Sequence, residues 1–237
     1  LSSNDTNVAL RYATLHIFIK SGDVCGNAFN ITHSGSTLWC NSDALFNMST
    51  ERSIMGVWLA SASPRRAEIL EKRVKPLHVE ALEDVDETPP SGTVSQQVMA
   101  ICRRKAAEVP DEHGFDVVVV AYTLVGDPDY ANAAMGKPSD SMHALAMLKR
   151  LSGRRHQVWS ATGLQICGDW TFFVEYAVVE IEELSDEALG ELVSSGSWKG
   201  KAGAYDLAGM MGSYAKLVDG EEVTVLGIAS SALRLID

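Results

Sequence analysis

The chain has 237 residues, of which 46% are hydrophobic and 22% charged, and this composition argues against a disordered protein. Its 20 basic and 31 acidic residues give a formal net charge of −11, which disfavours a nucleic-acid binder or a protein that docks on anionic membranes. No apolar run approaches the roughly 18–20 residues of a membrane-spanning helix. The four cysteines are widely spaced without a C-x-x-C pair, so neither a zinc knuckle nor a disulfide scaffold is indicated, and we expect a cytoplasmic protein.

The first fifty residues differ from the rest of the sequence. They are rich in Asn, Ser and Thr, contain only five charged residues, and show no sustained helical or strand period. We therefore predict that residues 1–50 are an N-terminal extension outside the natural domain, and that residues 51–237 form one domain.

From residue 57 onward, predicted strands and helices alternate along the chain. The predicted strands are 57–60, 77–80, 115–125, 157–166, 171–181 and 214–218. The predicted helices are 64–72, 93–109, 140–151, 185–194 and 226–236, the second of which opens with a capping-box pair, Thr93 and Gln96. Alternating elements with one hairpin predict an α/β domain with a mixed central sheet and flanking helices.

The junction of the first predicted strand and helix carries the clearest chemical signal. Ser63 is a natural N-cap and Pro64 a natural first helical residue, so Arg65 and Arg66 occupy the first turn. Cations are unfavourable at that end of the helix dipole unless a bound anion offsets them, and the pattern therefore predicts a phosphate site. The alternative is that both arginines point to solvent or pair with Glu68.

Two lysines extend this prediction. Lys105 shares an apolar helical stripe with Val98, Ile101 and Val109, so it needs either an anionic partner or a route along which it snorkels to solvent. Lys137 lies in a rigid loop before the next helix, where a solvated lysine is the plainer alternative.

Five carboxylates lie within eight residues after the second predicted strand. They could supply oxygen ligands to Mg²⁺ or Mn²⁺ beside phosphates, or form a solvated acidic loop. The residues are Glu80, Glu83, Asp84, Asp86 and Glu87.

These features recur in the order of a known family, and the chain resembles the Maf family of nucleotide pyrophosphatases over roughly residues 57–236. The matching blocks are Ser61-Ala-Ser-Pro-Arg-Arg-Ala-Glu-Ile-Leu, Asp86-Glu-Thr-Pro, Arg104-Lys-Ala, residues 121–125, Gly136-Lys-Pro-Ser-Asp, Leu151-Ser-Gly, His156-Gln-Val, Trp198-Lys-Gly-Lys-Ala-Gly-Ala-Tyr and Val225-Leu-Gly. The resemblance implies two lobes around a nucleotide cleft, as in inosine-triphosphatase-like folds, and a homodimer. It also implies house-cleaning hydrolysis of a nucleoside triphosphate to monophosphate and pyrophosphate with Mg²⁺ or Mn²⁺.

The same resemblance assigns roles to individual residues. It implies that Ser61, Arg65, Arg66, Lys105 and Lys137 grip the triphosphate. Glu87, with Asp86, would hold the metal. Arg65 and Thr123 resemble the branch of the family that prefers dTTP and UTP.

The sequence departs from the family pattern at the positions for catalysis and for recognition of the base. Tyr122 stands where the family has its proposed catalytic aspartate, and a phenol is a poor base and a poor Mg²⁺ ligand at neutral pH. Ala208 replaces a glutamine that aids base recognition, and Asp206, in place of a glycine, is a speculative substitute base. We therefore expect a slow pyrophosphatase, with a non-catalytic nucleotide-binding Maf-like protein as the alternative. A third possibility is a structural or interaction protein with a degenerate cleft.

Overall fold

The computed structural model describes residues 8–11, 16–19, 28–33, 36–41 and 56–236. The strands of the N-terminal part are β1 Val8–Arg11, β2 His16–Ile19, β3 Ala28–His33 and β4 Ser36–Asn41. They pair antiparallel in chain order as a separate sheet, which the sequence period does not predict. The predicted boundary at residues 50 and 51 lies outside the described residues.

A seven-stranded mixed sheet forms the centre of residues 56–236. Its strands are β5 Val57–Leu59, β6 Leu77–Val79, β7 Val117–Gly126, β8 Ala134–Met135, β9 Arg155–Ile166, β10 Asp169–Ile181 and β11 Ala215–Asp219. The order across the sheet is β11-β10-β9-β7-β5-β6, with β8 paired to β7. β5 runs parallel to β6 and β7, and the other pairs are antiparallel. The predicted α/β fold with a mixed central sheet is confirmed.

Helices flank this sheet. They are α1 Pro64–Glu71, α2 Val94–Ala107, α3 Ser141–Leu151, α4 Asp186–Ser194, α5 Glu222–Leu226 and α6 Ser230–Leu233. Short 3₁₀ turns lie at Ala202–Ala204 and Met210–Ser213. Within the part of the chain that the structure describes, no helix is long and apolar enough to cross a membrane.

Strand β7 is the middle of the core because both of its faces are covered. Val118 packs with Val98 of α2 on one face. Val119 packs on the other face with Leu70 of α1 and with Ile228, which precedes α6. Burial on both faces explains why this strand reads as an unbroken apolar run in the sequence rather than as an alternating one.

Two predicted helix ends have different outcomes. The capping box of α2 is confirmed, since Thr93 Oγ1 accepts from Gln96 N at 3.3 Å and Gln96 Oε1 accepts from Thr93 N at 3.0 Å. The single closing helix predicted at 226–236 is wrong. Gly227 adopts φ +114°, which ends α5, and the short α6 begins only at Ser230.

Candidate functional site

The site lies where β7 continues past its parallel neighbour β5. Leu59, the last residue of β5, is in register with Val119, so Tyr122 and Thr123 lie beyond the end of β5. The chain leaving β5 turns into α1 beside this stretch. In α/β sheets, ligands commonly bind outside the carboxyl ends of parallel strands, and the predicted site residues collect here.

The turn before α1 is built around the buried Ser61. Its Oγ accepts from Ser63 N at 3.3 Å and from Arg66 Nη1 at 3.0 Å. Ser63 occupies the predicted N-cap position and Pro64 follows as the first helical residue, but the Ser63 side chain makes no capping hydrogen bond. The helix therefore begins as predicted, while the turn is held by Ser61 instead.

Arg66 is enclosed by protein acceptors. Its Nε donates to the carbonyl oxygen of Gly227 at 2.8 Å, and its Nη2 donates to Thr123 Oγ1 at 3.0 Å, in addition to the bond with Ser61. Burial and then the charge of Arg65 lower the pKa of Arg66 to about 10, so the guanidinium stays charged at neutral pH. Arg66 therefore joins α1, the turn after β5, β7 and the segment that links α5 to α6.

Hydroxyl groups on β9 continue this network behind Arg66. Ser160 Oγ lies 2.8 Å from Thr123 Oγ1 and donates to the carbonyl oxygen of Thr224 at 2.7 Å. Thr162 Oγ1 accepts from Ala229 N at 2.9 Å. Both β9 hydroxyls are buried, so their bonds fix the segment at 224–229 against the sheet.

Glu175 on β10 holds the next part of that segment. Its Oε2 accepts from Ser230 N at 2.7 Å and from Ser230 Oγ at 2.9 Å, and its Oε1 accepts from Ser231 N at 3.1 Å. Burial alone would raise the pKa of Glu175, but these hydrogen bonds outweigh it and lower the pKa. Sequence reasoning missed Glu175 and the β9 hydroxyls, and the available signal was polar side chains inside otherwise apolar strands.

Arg65 faces a different partner. Its Nη1 lies 3.5 Å from Asp206 Oδ1, and Lys201 Nζ lies 3.6 Å from Asp206 Oδ2. Glu68 pairs instead with Lys72 at 3.0 Å. The alternative in which the arginines of α1 pair with Glu68 or simply face solvent is therefore wrong.

A small open pocket lies beside this ion pair. Arg65, Thr123 and Tyr205 contribute its polar lining, and the rest is apolar. Tyr205 Oη lies 2.8 Å from His156 Nε2, and burial lowers the pKa of His156 to about 4, so this imidazole is neutral. Ala208 is exposed, and its backbone N donates to Asp206 Oδ1 at 3.2 Å.

Glu87 joins the two predicted phosphate lysines. Lys105 Nζ donates to Oε1 at 3.1 Å, and Lys137 Nζ donates to Oε2 at 2.9 Å. Burial would raise the pKa of Glu87, but the hydrogen bonds and charges of Lys137 and Lys105 outweigh it and lower the pKa. Because the Lys105 side chain is only 9% exposed and has this partner, the snorkelling alternative is wrong. Lys137 is exposed but is likewise paired rather than only solvated.

Tyr122 completes this cluster. It is buried, and Lys137 Nζ lies 5.8 Å from the centroid of its ring. Burial and then the charge of Glu87 raise the pKa of Tyr122 to about 12. The phenol is therefore protonated at neutral pH and does not act as a base.

Asp86 points away from Glu87. Its Oδ2 accepts from Arg104 Nη1 at 3.1 Å, and its Oδ1 accepts from Thr88 N at 2.9 Å. Hydrogen bonds with Thr88 and then the charge of Arg104 lower the pKa of Asp86. Among the described residues, no group of three or more His, Cys, Asp and Glu side chains could hold a metal ion. Asp86 and Glu87 therefore have different partners in this structure, and their role toward a metal stays a prediction.

Comparisons with known proteins match about three quarters of the chain. A family model described as Maf-like protein matches residues 56–236. The chain is 35% identical over 182 residues to the dTTP/UTP pyrophosphatase of Koribacter versatilis (strain Ellin345), covering 73% of this chain and 89% of that protein. It is 35% identical over 183 residues to the dTTP/UTP pyrophosphatase of Clostridioides difficile (strain 630), covering 76% and 92%. With the Pyrococcus horikoshii protein of the same name it shares 33% identity over 178 residues, covering 73% and 91%.

Proposed function

The chain belongs to the Maf family, and from this premise we propose that it hydrolyses a nucleoside triphosphate to the monophosphate and pyrophosphate. The observation that carries the proposal is the convergence of Lys105 and Lys137 on one carboxylate beside Tyr122. Two lysines from separate elements that meet at one anionic group form the kind of site that takes a phosphate. The names of the relatives favour dTTP and UTP as substrates.

In this proposal the triphosphate is gripped by Lys105, Lys137, Arg65 and Ser61. Charge-assisted hydrogen bonds to phosphate oxygens are short and roughly twice as strong as neutral ones. The pairs of Arg65 and Lys201 with Asp206 are long at 3.5 Å and 3.6 Å, so a phosphate oxygen can compete for Arg65. The nucleoside end of the substrate then lies against the open side of the pocket, beside Arg65 and Thr123.

Arg66 has a different part in the proposal from the grip that the family resemblance implies. Its three nitrogen atoms already donate to Gly227, Ser61 and Thr123. We propose that Arg66 holds these groups in place. Its positive charge also stabilises an anion that binds nearby.

The reaction is an attack of water on the α-phosphorus, which breaks its bond to the bridging oxygen and releases pyrophosphate. Tyr122 cannot take the proton of that water because it is itself protonated. We propose Asp206 as the base, because it is a carboxylate next to both Arg65 and the nucleoside pocket. A positioned base contributes roughly 10²–10⁴ in rate.

A divalent metal remains a prediction for this chain. Mg²⁺ is often held in proteins by one or two carboxylates together with substrate phosphates rather than by a protein cage. Glu87 pairs with both lysines, so we propose that its carboxylate would hold Mg²⁺ or Mn²⁺ together with the phosphates of the substrate. When bound, the ion would neutralise charge on the phosphates.

Pyrophosphate release from a panel of nucleoside triphosphates, with Tyr122→Asp measured alongside the parent protein, tests the proposal. Turnover by the parent supports the pyrophosphatase, with another group replacing the aspartate of the family. Silence in the parent together with activity of Tyr122→Asp would favour the alternative, a non-catalytic nucleotide-binding protein. Silence in both, with no nucleotide-dependent rise in melting temperature, would contradict both functions.

The proposal also includes the setting in which the protein works. We propose a homodimer in the cytoplasm, and that the chain has no nucleic-acid partner. The domain division at residues 50 and 51 belongs to the same proposal. Light scattering after size-exclusion chromatography, on the full chain and on residues 51–237, would test the assembly and the division.

A further inference from the structure

We call the space between Lys105 Nζ and Lys137 Nζ the phosphate seat. We propose that the carboxylate of Glu87 competes with ligands for this seat, and that a phosphoanion binds there only by displacing it. The inference rests on the proposed function and concerns the regulation of the same site. It assigns to the contacts of Glu87 with the two lysines a role that opposes phosphoanion binding, separate from the role proposed for Glu87 toward Mg²⁺ or Mn²⁺.

The geometry of the seat matches an anion with two oxygen atoms. Each oxygen of Glu87 accepts from one lysine, at 3.1 Å from Lys105 and 2.9 Å from Lys137. A phosphate also presents two or more anionic oxygens on one central atom, so the same pair of ammonium groups can bind it in place of the carboxylate. Both anions cannot occupy the seat together.

Burial explains why Lys105 pairs with Glu87. The Lys105 side chain is 9% exposed and that of Glu87 is 31% exposed. A charge withdrawn from water without a partner is costly, so the free protein needs an anion beside Lys105. Glu87 supplies that anion until a stronger one arrives.

The loop that carries Glu87 is held in place by Arg104. Its Nη1 donates to the carbonyl oxygen of Asp86 at 3.2 Å and to that of Thr88 at 2.6 Å, on both sides of Glu87. The backbone is therefore fixed, and displacement needs only a rotation of the Glu87 side chain.

Competition of this kind lowers the observed affinity, because only the fraction of molecules with an open seat binds ligand at intrinsic strength. Neutralising the competitor should therefore tighten phosphoanion binding. A residue that served only as a metal ligand would have no such effect when metal is absent.

The test is calorimetric titration of the full chain with inorganic tripolyphosphate in the presence of a chelator. We expect Glu87→Gln to bind about tenfold more tightly than the parent, since each lysine then loses a charged partner. The matched control is Glu83→Gln, the same chemical change at an exposed position on the same loop, which should bind as the parent does. Glu87→Ala, which removes the carboxylate with a different side chain, should tighten binding as well.

Each outcome separates this inference from the function on which it rests. Equal or weaker binding by both Glu87 variants, with binding by the parent intact, would overturn the competitor alone. Absence of binding in every variant would overturn the phosphate grip, and the inference with it. Tighter binding by the Glu87 variants, in a protein that releases no pyrophosphate from nucleotides, would support the competitor while contradicting the catalytic function.

Discussion

Arg66 Nε lies 2.8 Å from the carbonyl oxygen of Gly227, and this hydrogen bond joins residues 161 positions apart. It connects α1 to a segment that Ser160, Thr162 and Glu175 fix to the sheet from behind. The position of Arg66, and through it of Thr123, therefore depends on residues that have no direct access to the pocket.

Gly227→Ala should destabilise the protein and weaken substrate binding. A Cβ at this position would lie 2.9 Å from Arg66 Nε and 3.2 Å from Thr123 Oγ1, and the backbone φ of +114° is unfavourable for alanine. We expect a loss of about 2 kcal/mol in the free energy of unfolding and a raised KM, measured by urea denaturation and steady-state kinetics.

The matched control for this variant is Gly168→Ala, in the turn between β9 and β10. Gly168 also has a positive φ, +87°, but a Cβ there would meet nothing within 4 Å. Gly168→Ala should therefore lose only the stability that alanine at a positive φ costs, and its KM should equal that of the parent. An unchanged KM in Gly227→Ala would contradict the assigned role of Arg66.

Asp206→Asn tests the proposed base. The amide keeps the shape of the side chain but cannot accept a proton, so kcat should fall by roughly 10²–10⁴ if Asp206 activates the water. The control is Asp111→Asn at an exposed position outside the site. A kcat equal to that of the parent would remove Asp206 as the base.

His156 should make stability depend on pH. Burial lowers its pKa to about 4, below the ordinary value, so the unfolded chain binds the proton first as the pH falls. Stability is therefore full at neutral pH and is lost as the pH falls from about 7 toward 4. We expect His156 to account for a loss of about 2 kcal/mol in the free energy of unfolding between pH 7 and pH 5. Urea denaturation at both pH values should show that His156→Gln lacks this part of the loss in the free energy of unfolding. The same pH dependence in the variant and the parent would contradict the prediction.

Removal of metal should stop turnover without changing the free protein. Because the described residues contain no group of three or more His, Cys, Asp and Glu side chains able to hold an ion, Mg²⁺ or Mn²⁺ alone should leave the melting temperature unchanged. A chelator should abolish pyrophosphate release, and excess Mg²⁺ or Mn²⁺ should restore it. A rise in melting temperature with metal alone would reveal a resident site and contradict the prediction.

The parts of the site that could be predicted are those with local signals. Pro64 and the paired arginines mark the start of α1. The apolar stripe of α2 singles out Lys105. Each of these signals lies within a single helix. The pairing of Lys105 with Glu87 could not be predicted in the same way. The sequence suggested each residue for a separate ligand, and only the fold brings their side chains together.

The hydroxyl network could not be predicted for a related reason. Ser160 and Glu175 lie on long strands, where a polar side chain usually marks a solvent-facing position. Their partners come from the segment at 224–231, and the break in the closing helix at Gly227 is what allows that segment to reach them. The break in the helix and the polar residues that bind the segment therefore have one structural cause, the turn at Gly227.

The hydroxyl chain behind Arg66 has a direction. Ser160 Oγ donates its single proton to the carbonyl oxygen of Thr224, so it can only accept a hydrogen bond from Thr123. The Thr123 proton must then point at Ser160, while Arg66 Nη2 supplies a hydrogen from the other side. At the pocket wall Thr123 has no proton left to give, and it presents a ligand with a lone pair only. The polarity of that surface is thus set by the oxygen of a peptide bond that the ligand never touches.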